Sequence, residues 1–294
     1  MPTATCFGEI LWDVFPTHKT IGGAPLNVAL RIQSFGIQTN IISRIGKDED
    51  GDKSLQYIKE NNLDISTIQT DEIYKTGCVN VTLDKNGSAS YEIEYPVAWD
   101  KIEITDNNLK TVKSSDAFIF GSLACRDAIS KNTLLNLLPY AKFKVFDVNL
   151  RPPHYSIELL RKLMDSADFI KCNDEELFEI CKALGSDKDS IKEQVDFLSA
   201  STKTSKICVT LGKDGAVLLF DGNYYNNNGY TIKVEDTVGA GDSFLATLIS
   251  KLLQKKAPDD ALNTACAVGA LVASKAGANP KLARTEILNF IKNQ

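Results

Sequence analysis

Short apolar runs alternate with longer amphipathic stretches along most of this chain. ATCFGEI, at the start, reads as a strand. PLNVALRIQSF follows as a helix, with Pro25 suited to its first turn and Gly36 to its end. TNIISRIG then reads as a strand and DKSLQYIKENN as a helix. The runs DAFIFG, KVFDVN, DFIKCN and KICVTLG each end in a polar residue or a glycine. SKNTLLNLLPYA, SIELLRKLMDSA and DEELFEICKALG separate them with helical spacing. Strands alternating with helices predict βαβ units and a mostly parallel sheet. In such sheets ligands bind beyond the carboxyl ends of the strands, so the polar residues closing these runs are the first candidates for chemistry.

Two regions break the alternation. Residues 76–100 read as two alternating strands around an Asn86-Gly87 turn, a strong hairpin signal. Val79, Val81 and Leu83 form an apolar face there that needs a cover. Residues 211–228 carry turns at Asp214-Gly215 and Asp221-Gly222, which predicts antiparallel strands finishing one edge of the sheet. After Gly239 the chain is almost wholly helical.

Bulk properties narrow the function. The chain has 294 residues, 43% of them hydrophobic, and a net charge of −5. That length supports one large α/β domain with an appendage. No basic block advertises a nucleic-acid surface. No apolar run reaches a membrane span, and the N-terminus lacks the marks of a leader, so a cytoplasmic protein is expected. Seven cysteines without a C-x-x-C pair, and only His18 and His154 as histidines, argue against zinc. Most of the cysteines lie in apolar runs and read as buried small hydrophobes.

Five polar constellations remain. GAGD (239–242) enters a helix; its glycines allow backbone N–H groups to approach an anion. It is neither a P-loop nor a dinucleotide fingerprint. A tight turn with Asp242 as a first-turn charge is the alternative, and a carboxylate so placed is expected to have a low pKa. IGGAPLNVA (21–29) puts Gly22 and Gly23 before a helix carrying Asn27, with Asp13 as a further polar candidate; a plain loop-to-helix turn would look the same. In KCNDEEL, Asn173 and Glu176 share one helix face, either orienting waters around Mg²⁺ or forming a capping box. In FDVNLRPP, Arg151 is placed to meet a phosphate or is a surface arginine. In TLGKDGA, Thr210 and Gly212 border a nucleotide or a simple hairpin turn.

Taken together and in this order, these motifs resemble the PfkB (ribokinase-like) family of carbohydrate and nucleoside kinases. GGAPLNVALRIQSFG and DTVGAGDSF are the most specific parts, and GEILWDVFP, GGAPLNVA and DVNLRPP look most like bacterial fructokinases. The resemblance implies a ribokinase-like three-layer α/β sandwich: a central mostly parallel sheet and a small β lid. Residues 1–10, 21–74 and 101–294 would form the large domain, and 11–20 with 75–100 the lid. It implies transfer of the ATP γ-phosphoryl group to a sugar hydroxymethyl oxygen, with fructose the expected acceptor. 2-Keto-3-deoxygluconate kinase and ribokinase are the nearest alternatives. A non-catalytic sugar- or nucleotide-binding regulator belongs to another class. On that resemblance Asp242 is the catalytic base, and Gly239, Ala240 and Gly241 supply the anion hole. Arg151 lies near the sugar or the moving phosphoryl group. Asp13, Gly22, Gly23 and Asn27 bind sugar hydroxyls. Asn173 and Glu176 act on Mg²⁺ and phosphate, Glu176 through water. Thr210, Gly212 and Gly241 border ATP, and Asn263 faces the adenine side. A K⁺ site would use Asp236, Val238 and carbonyls within 274–278. A homodimer through the lid is also expected.

Overall fold

A computed structural model describes residues 1–83 and 89–293. The elements, in chain order, are β1 (Thr3–Phe7), β2 (Leu11–Val14), β3 (Lys19–Gly22), α1 (Ala24–Ser34), β4 (Gln38–Gly46), α2 (Glu49–Glu60), β5 (Ile68–Asp71), β6 (Gly77–Leu83) and β7 (Ala89–Ile93). They continue with α3 (Asp106–Ser114), β8 (Ala117–Gly121), α4 (Ala128–Leu137), β9 (Lys144–Asp147), α5 (Ile157–Ser166), β10 (Phe169–Asn173), α6 (Asp174–Ala183) and α7 (Ile191–Thr202). The last are β11 (Lys206–Thr210), β12 (Ala216–Phe220), β13 (Asn223–Asn227), α8 (Ala240–Leu253), α9 (Pro258–Ala273) and α10 (Arg284–Lys292).

Nine strands form one sheet in the order β13-β12-β11-β10-β9-β8-β1-β4-β5. From β11 to β5 every pairing is parallel, and β12 and β13 close one edge antiparallel. This is the predicted ribokinase-like arrangement, including the antiparallel edge. Alternation along the central strands divides the core in two. Phe118, Phe120, Phe146, Ile170 and Ile207 join the cluster that includes Leu134, Leu163, Leu177 and Leu198 from α4 to α7. Ala117, Ile119, Val145, Phe169 and Cys208 join the cluster built on α1, α8 and α9. A period of two therefore sends successive side chains to opposite helical layers. Six of the seven cysteines are buried and all are free thiols.

From β1 the chain winds outward through β4 to β5, whereas β8, β9, β10 and β11 lie on its other side. The order reverses between β1 and β8. A switch point of this kind leaves a crevice at the carboxyl ends of the strands.

β2, β3, β6 and β7 form a second sheet, in the order β3-β2-β6-β7. β6 pairs antiparallel with β7, as the hairpin pattern predicts, and also parallel with β2, a long-range pairing that no local pattern announces. β3 runs through Gly22, two residues beyond the segment 11–20. The Asn86-Gly87 turn lies outside the described residues. Val79 and Val81 are buried within the single chain. The exit from β7 is pinned to the large sheet by Arg126. Its guanidinium bonds Asp100 at 2.7 and 2.8 Å and the Glu94 carbonyl, and it stacks on Trp99 at 3.9 Å. Arg126 and Asp100 are both almost wholly buried. No helix among the described residues is long and apolar enough to cross a membrane.

Candidate active site

The entry to α8 is shaped by Gly239, whose φ of +74° is left-handed. A side chain there would begin 2.6 Å from the Ala278 carbonyl oxygen, so only glycine fits. The Ala240 amide bonds the Thr237 carbonyl at 3.2 Å, closing the turn. The amides of Gly241 and Asp242 follow in the first helical turn, where N–H groups have no intrahelical acceptor.

Asp242 accepts a hydrogen bond from Asn27 Nδ2 at 2.8 Å, and Asn27 Oδ1 accepts one from Asn279 Nδ2 at 2.6 Å. This relay joins α8, α1 and the loop after α9. Asp242 does not have the low pKa expected of a helix-start carboxylate. Burial, then the negative charge of Asp147, push it up to about 6, against the Asn27 hydrogen bond and the charges of Lys171 and Arg151. Desolvation outweighs the helix dipole here.

The Gly-Gly pair meets the relay at its middle, where the Asn27 amide bonds the Gly23 carbonyl at 2.9 Å. Gly23 caps α1 with φ +106°, and a side chain there would strike the Glu9 carbonyl at 2.4 Å. At Gly22 a side chain would begin 2.7 Å from Asp13 Oδ2. Asp13, Gly22, Gly23, Asn27 and Asp242 are thus neighbours, although they come from both ends of the sequence. Burial raises the Asp13 pKa.

The row of carboxyl ends from β8 to β11 supplies the rest. Asp147 and Lys171 are register partners on adjacent strands, and their charged groups meet at 3.0 Å. Lys171 follows Phe169 on the α8 side of the sheet, and its ammonium lies 3.6 Å from where a Gly241 side chain would begin. Neither Asp147 nor Lys171 stood out in the sequence. A charged residue inside each of two adjacent apolar strand runs, KVFDVN and DFIKCN, was the available signal.

Asn173 and Glu176 form a capping box: the Asn173 side chain accepts from the Glu176 amide at 2.7 Å, and Glu176 Oε2 accepts from the Asn173 amide at 2.9 Å. Glu176 Oε1 also takes the Leu150 amide at 2.8 Å, fixing the segment that carries Arg151. Burial raises the Glu176 pKa, against the pull of Lys171. Arg151 is exposed and its Nη1 bonds the Leu150 carbonyl. Thr210 ends β11 in register with Asn173, and Gly212 lies in the turn beyond it with φ +58°. Asn263, on α9, accepts from Asn227 Nδ2 at 2.8 Å and from the Tyr230 hydroxyl at 2.5 Å. No hydrogen bond or ion pair among the described residues links Thr210, Gly212 or Asn263 to Asp242. Asp236 ties together the two loops beside α8, accepting from the amides of Val238 at 2.9 Å and Gly277 at 3.1 Å. No cluster of three or more metal-ligating side chains occurs among the described residues.

The family profile described as pfkB family carbohydrate kinase matches residues 3–285. The chain belongs to this family. It is 29% identical to a fructokinase of Solanum tuberosum, over 97% of this chain and 94% of that one. Its fold is similar to that of fructokinase with bound ATP from Xylella fastidiosa, with a TM-score of 0.87, 23% identity and 99% and 98% of the two chains covered. A fructokinase variant from Vibrio cholerae, in a form with fructose, ADP and potassium bound, has a TM-score of 0.84, 23% identity and 98% coverage of both chains.

Proposed function

We propose that this pfkB carbohydrate kinase is an ATP-dependent fructokinase that makes fructose 6-phosphate. The observation that carries the reading is the Asn279–Asn27–Asp242 relay, which holds the half-buried Asp242 carboxylate in the first turn of α8, beside the helix that follows the Gly22–Gly23 turn. The sugar lies over Asp13, Gly22, Gly23 and Asn27, with its hydroxymethyl group toward Asp242. Asp242 accepts the hydroxyl proton as the oxygen attacks the γ-phosphorus. Phosphoryl transfer asks mainly for positioning and charge stabilisation, so a weak base is enough. Gly239, Ala240 and Gly241 shape the anion hole; with the Ala240 amide held by Thr237, the Gly241 and Asp242 amides face the developing charge. Lys171, poised by Asp147 beside Gly241, adds a fixed positive charge, and Arg151 flanks the transferred group. ATP extends from there past Asn173 and Glu176 toward Thr210, Gly212 and Asn263.

Both Glu176 oxygens already hold backbone amides, and the described residues offer no carboxylate cage. That donor set fits Mg²⁺ held mainly by nucleotide phosphates and water, and when bound the ion neutralises phosphate charge. Backbone carbonyls of the two loops joined by Asp236 are hard oxygen donors suited to K⁺, with Asp236 and Val238 on one side. The small sheet serves as a lid that excludes water from the phosphoryl group.

The relatives described as fructokinases, and the neighbour holding fructose, support fructose as the acceptor. A panel of fructose, ribose and 2-keto-3-deoxygluconate with ATP tests it: the highest kcat/KM should belong to fructose, and a much higher value for either of the others refutes it. The intact GAGD segment favours catalysis over a purely regulatory binding role. A homodimer through the small sheet is part of this reading, although Val79 and Val81 are already buried within one chain. Light scattering at micromolar concentration tests it: a dimer mass is expected, and a monomer mass refutes it.

A further inference from the structure

Past the end of β1 the chain carries Glu9 beneath the Gly22–Gly23 turn, with its Cγ 3.4 Å from where a Gly23 side chain would begin. Glu9 is 4% exposed, and its Oε2 has no hydrogen-bond partner among the described residues. Asp147 lines the same small cavity, is also 4% exposed, and its Oδ2 is likewise unpartnered. Asp147 Oδ1 is already committed to Lys171. The cavity lies at the switch point between β1 and β8, bounded by Pro25, Val28, Gly121 and Ser122. Ser122 brings no spare donor, because its hydroxyl bonds the Val148 carbonyl at 2.7 Å.

A buried carboxylate oxygen without a donor is costly. Two residues that line one cavity, each with such an oxygen, form a site that is completed when donors arrive. Glu9 lies directly under Gly23, whose carbonyl accepts from the Asn27 amide at 2.9 Å, and Asn27 in turn bonds Asp242, so Glu9 sits beside the relay that holds the proposed base. The cavity, about 10 Å³, has room for one hydroxyl-sized group, and a hydroxyl at its mouth donates a hydrogen bond and brings no net charge.

We propose that Glu9 and Asp147 form an acceptor pair that reads hydroxyl groups of the sugar, with Glu9 as a specificity-determining residue. The substrate class is then a neutral polyhydroxy sugar. An analogue missing the hydroxyl that Glu9 reads leaves Oε2 unpaired in the complex and is rejected. A site built for a hydroxyl discriminates far more strongly than an apolar pocket does. The proposal rests on the sugar-kinase reading above.

The test is a cycle between enzyme and substrate. Wild type, Glu9→Ala and Glu9→Gln are assayed for kcat/KM with the sugar that wild type prefers and with each of its monodeoxy analogues. Wild type is expected to lose about 100-fold or more on one analogue. Glu9→Ala should lose a comparable factor on the parent sugar and little further on that analogue. Glu9→Gln, which keeps an acceptor oxygen, should recover at least tenfold over Glu9→Ala. If Glu9→Ala does not fold, Glu9→Gln carries the cycle, and its loss should fall on the parent sugar and not on that one analogue. A loss spread equally over the parent and every analogue overturns the proposal and leaves the kinase reading intact. Failure of wild type to phosphorylate any sugar overturns both.

Discussion

Replacing Asp242 with asparagine should stabilise the protein at alkaline pH while removing its activity. The Asp242 pKa rises from the ordinary 3.8 to about 6. At about 1.4 kcal/mol per tenfold change in proton affinity, keeping the ionised group in the fold costs about 3 kcal/mol at pH 8. The residue is partly exposed, which reduces that figure to about 1–3 kcal/mol. The folded state binds the proton more tightly than the unfolded state does. The contribution is therefore fully favourable below 3.8 and is lost as pH rises through about 6. Asparagine does not titrate, and its carboxamide oxygen still accepts from Asn27. Between pH 4.5 and pH 8 the variant should gain about 1–2 kcal/mol on wild type, read from urea unfolding at both values with matched m-values. Turnover should fall about 10²–10⁴-fold, and the wild-type rate should rise with pH through about 6. An Asn variant that gains nothing at pH 8 refutes the raised pKa, and one that keeps near-normal kcat refutes the base assignment.

Lys171→Met should lower kcat by about 10²-fold with little change in the KM for sugar, as expected for a charge that acts on the moving phosphoryl group; steady-state kinetics decide, and an unchanged kcat removes the residue from the mechanism. Gly239→Ala forces a side chain at positive φ against the Ala278 backbone; it should cost about 1–3 kcal/mol in chemical denaturation and reduce kcat as the start of α8 shifts. Arg126→Met leaves Asp100 buried without its partner and should cost about 3–5 kcal/mol; a loss below about 1 kcal/mol would show that the pair does not hold the exit of β7.

The large sheet was legible because its strands are short apolar runs closed by Gly, Asn or Asp, and this pattern is local. The pairing of β6 with β2 was not, because it joins segments more than sixty residues apart and rests on no shared motif. The same division holds in the site. Asp242, Gly23 and Asn27 stand in glycine-rich or helix-start segments whose composition draws notice. Glu9, Asp147 and Lys171 hide within or beside apolar runs, and only the register of β9 with β10 shows that two of them meet. The pKa of Asp242 was misjudged for a related reason. The helix start is visible in the sequence, but the desolvating neighbours come from distant strands.

The relay from Asn279 through Asn27 to Asp242 spans 252 and 215 residues in its two links. Arg31 adds a parallel tie, reaching from α1 to Ser243 and to the Pro280 carbonyl. A polypeptide still emerging from the ribosome therefore cannot complete the ties around Asp242 until the segment around residue 280 is free to pack. Trimming the chain upstream of that segment would remove Asn279 and the Pro280 carbonyl, and with them both ties, while leaving every strand of the sheet in place.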